Sequence, residues 1–552
     1  MQKTLLIVPH FWDPICVPLG ISSLKAYLEQ FNHSVDLFDY NAIPSIFGMQ
    51  KKYFEEGKRQ FPYWNKWNIE RNGTDMLAFH QLVYLFARQD PDYRELVAEI
   101  LNMNAIPKAE FINKLDTKSF DQIFDSLYCR VEEILQKLLS ESKPDVVGCH
   151  LNNSTWPATL FILQAVKKIN PGIRTVVGGP GPMMGLTVDK NEVKKFFDKH
   201  DFIDYFVIGE GEQGLLKVLD EPALPPGIVD TNPSQKLDQM KKDAMKMDEL
   251  PLPDYGNLDV SRYFTLSVSS SRGCPFECSF CAETVFWKGF RPRNRTKVFN
   301  DIQTLAEKYK RNYFYICDSL SNHIITPLTD DIIANGKPYA LDCYLRADKI
   351  CTDEARTKRW REGGLFRARL GLESASQRIL DAMVKKTNPE NMEKSLNALA
   401  SQGVVTSTLW IVGFSGETEN EFNETLSFIR KNKNNIYQAD PWLFQYHPKG
   451  LAHSPELNES QGSKYRFSSK LNDIFAVSPY VVGNDLSPSE RFDRLERFVA
   501  ALRECEIPNP YSINEIIRAN KRWEDMGHHS GWSPLVSVKT FDNNQKNEIV
   551  CR

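Results

Sequence analysis

The sequence of 552 residues has little of what marks several protein classes. Its 11 cysteines are too few for a disulfide scaffold at this length. Lysine and arginine (68) nearly balance aspartate and glutamate (71), so the net charge of −3 gives no electrostatic reason to expect nucleic acid as a partner. The first apolar run, residues 4–8, is too short for a signal-peptide core or a membrane span. We therefore expect a cytoplasmic protein without a membrane partner.

The composition is that of an ordinary folded protein, with 41% hydrophobic and 25% charged residues. At roughly 100–200 residues per domain, the chain should hold about three or four domains. It contains no internal repeat and no low-complexity tract. No Gly-x-Gly-x-x-Gly follows the first apolar run, which argues against a conventional NAD oxidoreductase.

Apolar strands alternate with helices in residues 1–220, which predicts an α/β domain with a Rossmann-like, doubly wound parallel sheet. Aromatic and charged residues at helical spacing interrupt this pattern at about 42–140, where we expect a helical insertion. Ligands of such sheets bind at the carboxyl ends of the strands. The glycine-rich turns at 178–181 and 209–214 lie at those ends.

Prolines and mixed charges in residues 221–258 predict an extended linker. Residues 259–452 then alternate strands and helices in a way that predicts a parallel barrel of six βα units, complete or partial. We expect its strands around 264–270, 313–317, 341–345, 366–372, 406–413 and 442–446, and its helices around 295–309, 353–363, 376–383, 390–402 and 418–431. Residues 453–552 are polar and helical, which predicts a C-terminal capping domain with an amphipathic helix near 488–504.

Cys274, Cys278 and Cys281 follow the first barrel strand in one short loop, at the end of the barrel where active sites lie. A zinc site usually closes with four ligands, and no fourth Cys or His lies within ten residues of this loop. On a [4Fe–4S] cluster, three cysteines would leave one iron open to an outside ligand. The spacing alone leaves both a zinc loop and an iron–sulfur loop open.

The Cys-x3-Cys-x2-Cys spacing, with Phe280 before the last cysteine and Arg272-Gly273 before the first, resembles the radical S-adenosylmethionine (SAM) enzymes. The resemblance implies that the three cysteines ligate a [4Fe–4S] cluster, and that the amino and carboxylate groups of SAM chelate the open iron. An electron from the cluster would then cleave SAM to a 5′-deoxyadenosyl radical. A low-potential electron donor such as a flavodoxin or ferredoxin is implied as a partner.

Segments at the ends of the later barrel strands resemble further elements of the same family. Leu370-Gly-Leu-Glu373-Ser374 resembles its Gly-Ile-Glu-Ser element. Trp410-Ile-Val-Gly413-Phe-Ser-Gly-Glu417-Thr418 resembles its Gly-Phe-Pro-Gly-Glu-Thr element, with Ser415 in place of the proline. The resemblance implies a set of residues that contact SAM, namely Phe280, Asp318, Arg346, Glu373, Ser374 and Gly413.

The N-terminal domain resembles the cobalamin (B12)-binding domain that precedes the barrel in many radical SAM enzymes. Four segments carry this resemblance: Pro18–Glu29, Lys143–Gly148, Val177–Pro180 and Ile208–Glu212. It implies a set of cobalamin contacts, namely His10, Trp12, Leu19, Asn152, Ser154, Thr155, Gly178, Gly179, Glu210 and Gly211. The Asp-x-His-x-x-Gly motif that supplies a histidine to cobalt in some cobalamin proteins is absent from this chain, so we do not expect histidine ligation by that route.

These resemblances imply a C-methyltransferase that acts on an unactivated carbon of a peptide or small natural-product precursor, through methylcobalamin and the 5′-deoxyadenosyl radical. Two alternatives stay open. One is a radical SAM cyclase or ring-rearranging enzyme without methyl transfer, and the other is a non-catalytic cobalamin or iron–sulfur sensor. Tyr446, after the last barrel strand, is a candidate catalytic residue at the substrate.

Overall fold

The computed structural model describes residues 2–11, 15–102, 106–179, 190–231, 244–281, 283–287, 289–444, 464–465, 467–476, 481–482, 486–510 and 513–528. The described parts contain two six-stranded sheets whose strands run parallel, together with two small antiparallel strand pairs. Helices alternate with the strands of both large sheets. The predicted α/β class, with one parallel sheet following another, is therefore confirmed.

The first large sheet belongs to the N-terminal half of the chain. Its strands are β1 Lys3–Val8, β2 Ser34–Asp39, β3 Val146–His150, β4 Arg174–Gly178, β5 Tyr205–Ile208 and β6 Gly227–Asp230. They lie in the order β2-β1-β3-β4-β5-β6, so the winding direction reverses between β1 and β3. Open sheets of this kind bind ligands outside the carboxyl ends of the strands, at such a reversal.

Two local predictions for this sheet were wrong. The predicted linker contains β6, which pairs with β5, because a run of four residues between prolines is too short to show a strand pattern. The glycine-rich turn predicted at 209–214 is shorter than expected, because a helix already begins at Gly211. Gly214 lies in that helix for packing reasons, since a Cβ there would lie 2.4 Å from Val207 Cγ1.

Helices cover both faces of the first sheet, because alternate residues of β1 are buried on opposite sides. Leu5 and Ile7 pack on one face, and Leu6 and Val8 pack on the other. The flanking helices are Leu19–Glu29, Trp156–Ile169, Lys190–Lys199 and Gly211–Asp220. The insertion between β2 and β3 is helical as predicted, with helices Pro44–Gln60, Ile69–Asn72, Thr74–Ala87, Tyr93–Leu101, Lys108–Lys114 and Thr117–Ser142.

The second large sheet forms the barrel. In chain order its strands are β7 Leu266–Val268, β10 Tyr313–Ile316, β11 Ala340–Leu345, β12 Leu365–Glu373, β13 Val405–Val412 and β14 Gln438–Leu443, and the short strands β8 Ser271–Arg272 and β9 Arg291–Pro292 pair between the first two. Their order is β14-β13-β12-β11-β10-β7. Within the described residues β7 and β14 do not pair with each other, so the barrel is partial and open between these two edge strands.

The barrel helices are Arg295–Tyr309, Ile325–Asn335, Glu354–Glu362, Gln377–Ala382, Pro389–Ala400 and Glu419–Lys431. Five of them lie within two residues of the predicted bounds. The prediction missed Ile325–Asn335, where Pro327 lies in the first turn and does not break the helix. It also began the last strand four residues too late, because Asp440 and Pro441 interrupt the apolar pattern of that strand. An edge strand tolerates such residues.

The N-terminal half of the chain covers both edge strands of the barrel. Beside β7, Val17 N donates to Thr265 O at 3.1 Å, and Ser267 Oγ donates to Val17 O at 2.6 Å. Beside β14, the guanidinium of Arg71 in the insertion donates to both carboxylate oxygens of Asp440, at 3.1 and 2.9 Å. The open side of the barrel therefore faces the N-terminal half.

The C-terminal region bridges the insertion and the barrel. Its described helices are Ser469–Phe475, Pro488–Glu504 and Ile513–Asp525, with the strand pair β15 Lys464–Tyr465 and β16 Val481–Val482, and the second helix has the predicted bounds. Phe492 contacts Trp67 of the insertion, with ring centroids 5.3 Å apart, and Arg494 forms an ion pair with Glu417 of the barrel at 2.8 Å. None of the helices in the described ranges combines the length and the apolarity needed to cross a membrane.

Candidate active site

Asp318 fixes the point where the chain enters the cysteine loop. This residue follows β10, and its carboxylate accepts hydrogen bonds from the backbone N–H groups of Ser270 and Ser271 at 2.8 and 3.0 Å. The hydroxyl groups of both serines also donate to it. Asp318 is buried, and burial raises the pKa of its carboxyl. It therefore orients the loop, and its contact with SAM remains a prediction.

The three cysteines of the loop are half-buried free thiols. Burial raises the pKa of the Cys281 thiol to about 12 and also raises the pKa of Cys274. In the described part of the chain, no three His, Cys, Asp or Glu side chains converge closely enough to hold a metal ion. Because the cysteines of a cluster bind different iron atoms, a cluster loop does not need the close convergence of a four-ligand zinc site.

A buried arginine lies against the cysteine loop. Arg346 follows β11, with Nη1 4.0 Å from Cys278 Sγ and the guanidinium carbon 3.9 Å from the centroid of the Phe276 ring. Its Nε and Nη2 are buried and find no acceptor among the residues that the structure describes. Its backbone is held by Asn322, whose Oδ1 accepts from Arg346 N at 2.8 Å. A buried cation with unused donors favours an anionic ligand such as a carboxylate.

Glu373 ends β12 at a bulge in the pairing with β13, and its φ of 65° is rare for a residue other than glycine. Lys385 Nζ donates to Glu373 Oε1 at 2.7 Å and lies 5.6 Å from the centroid of the Phe280 ring. A Cβ at Gly371 would lie only 2.5 Å from Glu373 Oε1, so the glycine leaves room for the carboxylate. The structure thus brings Glu373 and Phe280 to one place, and backbone strain of this kind clusters at functional sites.

Ser374 and Gly413 are held within the barrel wall. Ser374 is fully buried, and its Oγ lies 3.3 Å from Thr425 Oγ1. Gly413 has a φ of 75°, and its N–H donates to Glu417 Oε2 at 3.1 Å. Both residues therefore have a structural role, and their contact with SAM remains a prediction.

The carboxyl edge of the N-terminal sheet is built from glycines, amides and aromatic rings. Gly179 follows β4 with a φ of 116°, and a Cβ there would lie 3.0 Å from Leu151 O. Glycine therefore leaves the backbone open to a ligand at this turn. His10, after β1, is 1% exposed, and its ring contacts Phe11 and Tyr128 edge-on with centroids 4.7 and 5.9 Å apart. It packs in an aromatic core, and its predicted cobalamin contact stays a prediction.

The loop after β3 brings together three predicted cobalamin residues. Asn152 Oδ1 accepts from Thr155 N and Thr155 Oγ1 at 3.0 Å, and from Ser154 Oγ at 3.2 Å. These bonds shape the turn that starts the helix Trp156–Ile169. Leu19 starts another helix, where it is half-buried.

Four predicted cobalamin contacts remain. Gly178 ends β4, next to Gly179, as expected for the ligand edge. A Cβ at Gly211 would lie 3.1 Å from Leu24 Cδ2, so this glycine lets two helices pack closely. Trp12 lies outside the described residues, as does the candidate catalytic residue Tyr446.

Glu210, the last of these, joins the two sheets. It follows β5, and its carboxylate accepts from Arg291 Nη2 and Nη1 at 2.9 and 3.1 Å and also from Arg272. The two arginines flank the cysteine loop on β8 and β9. The carboxyl ends of the N-terminal sheet and of the barrel therefore meet at this ion-pair cluster.

Sequence reasoning missed Lys385 and Gly371. Lys385 lies outside every recognised element, and its role depends on a tertiary contact with Glu373 that no spacing reveals. Gly371 lies inside the Gly-Leu-Glu element that the sequence analysis recognised. Its steric role could not be predicted, because that role depends on the bulge in the pairing of β12 with β13.

Residues 268–429 match the model of the radical SAM superfamily. The matched segment runs from β7 to the helix Glu419–Lys431 and includes the cysteine loop. Over 460 residues the chain is 26% identical to the anaerobic magnesium-protoporphyrin IX monomethyl ester cyclase of Rubrivivax gelatinosus, in an alignment that covers 75% of this chain and 79% of that enzyme.

Two solved structures are similar in fold to most of this chain. The radical SAM methyltransferase TsrM from Kitasatospora setae, solved with cobalamin and a [4Fe–4S] cluster, has a TM-score of 0.55 at 14% identity, over 85% of this chain and 81% of TsrM. The cobalamin-dependent radical SAM enzyme OxsB, solved with aqua-cobalamin and SAM, has a TM-score of 0.52 at 15% identity, over 93% of this chain and 62% of OxsB. The chain therefore shares its overall fold with TsrM and OxsB.

Proposed function

We propose that the chain is a cobalamin-dependent radical SAM methyltransferase that acts on an unactivated carbon. One observation carries this proposal: Glu210, at the carboxyl end of the N-terminal sheet, bonds Arg272 and Arg291 at the base of the cysteine loop. Ligands bind at the carboxyl ends of both kinds of sheet. The contact therefore supports two cofactor sites that share one chamber on the open side of the barrel.

The side chains of this chamber fit the expected ligands. The three loop cysteines would hold a [4Fe–4S] cluster, and the backbone at Gly178-Gly179 would admit the tail of cobalamin. When bound, the cluster supplies the electron that cleaves SAM, and cobalamin supplies the methyl group. Arg346 binds the carboxylate of SAM, because its unused donors are buried beside Cys278. Glu373 and Lys385 form a pair without net charge, which orients polar groups of SAM by hydrogen bonds.

The substrate contacts this chamber at the last barrel strand. Trp442 of β14 is 44% exposed and pairs in register with Ile411 of β13. The guanidinium carbon of Arg71 lies 5.9 Å from the centroid of the indole ring. An exposed indole near the carboxyl end of the last strand supports a substrate with an apolar or aromatic part, such as a peptide or a small natural-product precursor. A flavodoxin or ferredoxin supplies the electron, and Tyr446 remains the candidate catalytic residue at the substrate.

The second candidate function is ring formation without net methyl transfer. The cyclase of Rubrivivax gelatinosus favours it, because the alignment covers 75% of this chain. The same chamber would then use the 5′-deoxyadenosyl radical to start a cyclisation. A non-catalytic sensor has no such support, since the relatives described above are enzymes by name.

The test is an anaerobic incubation of the reconstituted protein with SAM that carries a deuterated methyl group, a low-potential reductant and added cobalamin. Mass spectrometry of the nucleosides and the corrin then reads out the reaction. The methyltransferase yields both 5′-deoxyadenosine and S-adenosylhomocysteine, with the label on cobalamin. Formation of 5′-deoxyadenosine alone, with cobalamin bound and unlabelled, would overturn methyl transfer and favour the cyclase.

A further inference from the structure

The stem of the cysteine loop is a short antiparallel pair that places two arginines opposite each other. Ser271 pairs with Pro292, and Arg272 pairs with Arg291. Gly273 follows with a φ of 78°, and a Cβ there would lie 2.1 Å from Gly289 O, so only glycine lets the two arms close. The cysteines lie in the loop that this stem closes.

Like charges on directly opposed strand residues destabilise the pairing. Arg272 and Arg291 are both largely buried, with 14% and 15% of their side chains exposed, so water screens their repulsion poorly. The stem therefore needs a negative group from elsewhere in the chain.

Glu210 supplies that negative group. Its carboxylate bonds both guanidinium groups, and 13% of its side chain is exposed. Glu212, two residues further along the chain, also bonds Arg272. Arg291 Nη1 also donates to Met245 O at 2.8 Å, which ties the stem to the segment between the two sheets.

We propose that Glu210 is a positioning residue that holds the cysteine loop closed against the carboxyl edge of the N-terminal sheet. The loop then takes its final shape only while the two domains are docked. This inference rests on the proposed function for its importance in catalysis, but the closure itself concerns only side chains of this chain. The cluster-free protein can therefore test it.

The experiment is hydrogen–deuterium exchange on the cluster-free protein, with Glu210→Gln compared with the unmodified chain. We expect backbone amides of peptides that span residues 271–292 to exchange at least tenfold faster in the variant. Asp440→Asn is the matched control, because it removes another buried carboxylate that joins the N-terminal half to the barrel through an arginine. It should leave exchange in 271–292 unchanged.

A double variant separates the effect of the contacts of Glu210 with Arg272 and Arg291, here called the clamp, from a general loss of folding. Glu210→Gln combined with Arg291→Gln removes the carboxylate and also one of the two repelling charges. We expect the double variant to recover most of the protection that Glu210→Gln loses. Exchange in 271–292 that stays at the unmodified rate in Glu210→Gln would overturn the proposal, and so would a double variant that exchanges faster than the single one.

In the reconstituted enzyme the same clamp should affect how efficiently SAM cleavage leads to product. We expect Glu210→Gln to form more 5′-deoxyadenosine for each S-adenosylhomocysteine than the unmodified chain does. An unchanged ratio together with faster exchange would overturn the catalytic importance of the clamp. Failure of the unmodified chain to form S-adenosylhomocysteine at all would instead contradict the proposed function and leave the exchange result valid.

Discussion

The carboxyl edges of the two sheets are built in different ways. The edge of the barrel carries side-chain chemistry: half-buried thiols, the Arg346 guanidinium and the paired Glu373 carboxylate. The edge of the N-terminal sheet offers backbone at Gly178-Gly179 and a loop in which Asn152 bonds its own neighbours. The barrel edge therefore offers thiols and charged groups to a ligand, and the other edge offers backbone and shape.

The largest expected effect is on the barrel edge. Cys274→Ala, Cys278→Ala and Cys281→Ala should each abolish the cluster absorbance and reduce SAM cleavage to background, because a cluster held by two cysteines lacks a ligand. Absorption spectra of the reconstituted proteins and assays for 5′-deoxyadenosine check this. Cys129→Ala is the control, since this exposed cysteine lies on a helix of the insertion and should change neither readout. Full activity in any of the three loop variants would contradict the cluster assignment.

Arg346→Ala tests whether charge at the barrel edge binds SAM rather than the cluster. Loss of a charge-assisted hydrogen bond worth about 1.5–3 kcal/mol weakens binding by roughly 10–100-fold. We expect SAM affinity to fall by this factor while the cluster absorbance is retained, as measured by equilibrium dialysis and absorption spectroscopy. A variant that loses the cluster but binds SAM normally would reverse the assignment.

Gly179→Ala tests the shape-based edge. Because φ is 116° and the Cβ would lie 3.0 Å from Leu151 O, the substitution should cost about 1–3 kcal/mol of the free energy of unfolding. It should also reduce retention of cobalamin through gel filtration. Gly48→Ala is the control: it lies in a helix with no atom within 4 Å of its Cβ and should stabilise the protein by about 0.5–1 kcal/mol. Equal urea midpoints for the two variants would argue against a strained turn.

The smallest expected effect concerns the turn behind Gly413, where Glu421 forms a capping box with Thr418. The hydrogen bonds from Arg378 and Thr418 lower the pKa of Glu421 to about 2. A lowered pKa means that the carboxylate stabilises the fold above pH about 4.5 and loses this effect as the pH falls toward 2. Glu421→Ala should therefore cost about 1 kcal/mol at pH 7. In urea unfolding at pH 3 the difference between variant and unmodified chain should shrink, and a constant difference would contradict the pKa shift.

The same contrast explains what the sequence could predict. The cysteines, Arg346 and Glu373 are residue types with a specific chemistry, and each follows a predicted strand, so both the barrel and its candidate site could be located. The bounds of the helix Pro488–Glu504 were also predictable, because Ser487 and Glu490 form a capping box just before an amphipathic pattern.

Features that depend on tertiary contacts could not be predicted. Glu210 lies 62 positions from Arg272 and 81 positions from Arg291 in the chain, so no local sequence pattern pairs these residues. β6 was missed and β14 was placed too late in the chain, because short strands with prolines or charges show no alternation and are defined by their pairing partners. His10 packs against aromatic residues that lie between β2 and β3 in the chain. Its own position after β1 gives no sign of these contacts.

The most direct test of the central claim, that the two carboxyl edges share one chamber, is electron paramagnetic resonance of the protein reconstituted with both cofactors. The cob(II)alamin signal is recorded with the cluster oxidised and then reduced. We predict that reduction of the cluster splits or broadens the cobalt signal, and that Cys278→Ala abolishes this change. A cobalt signal that is unaffected by cluster reduction, in protein that holds both cofactors, would contradict the claim.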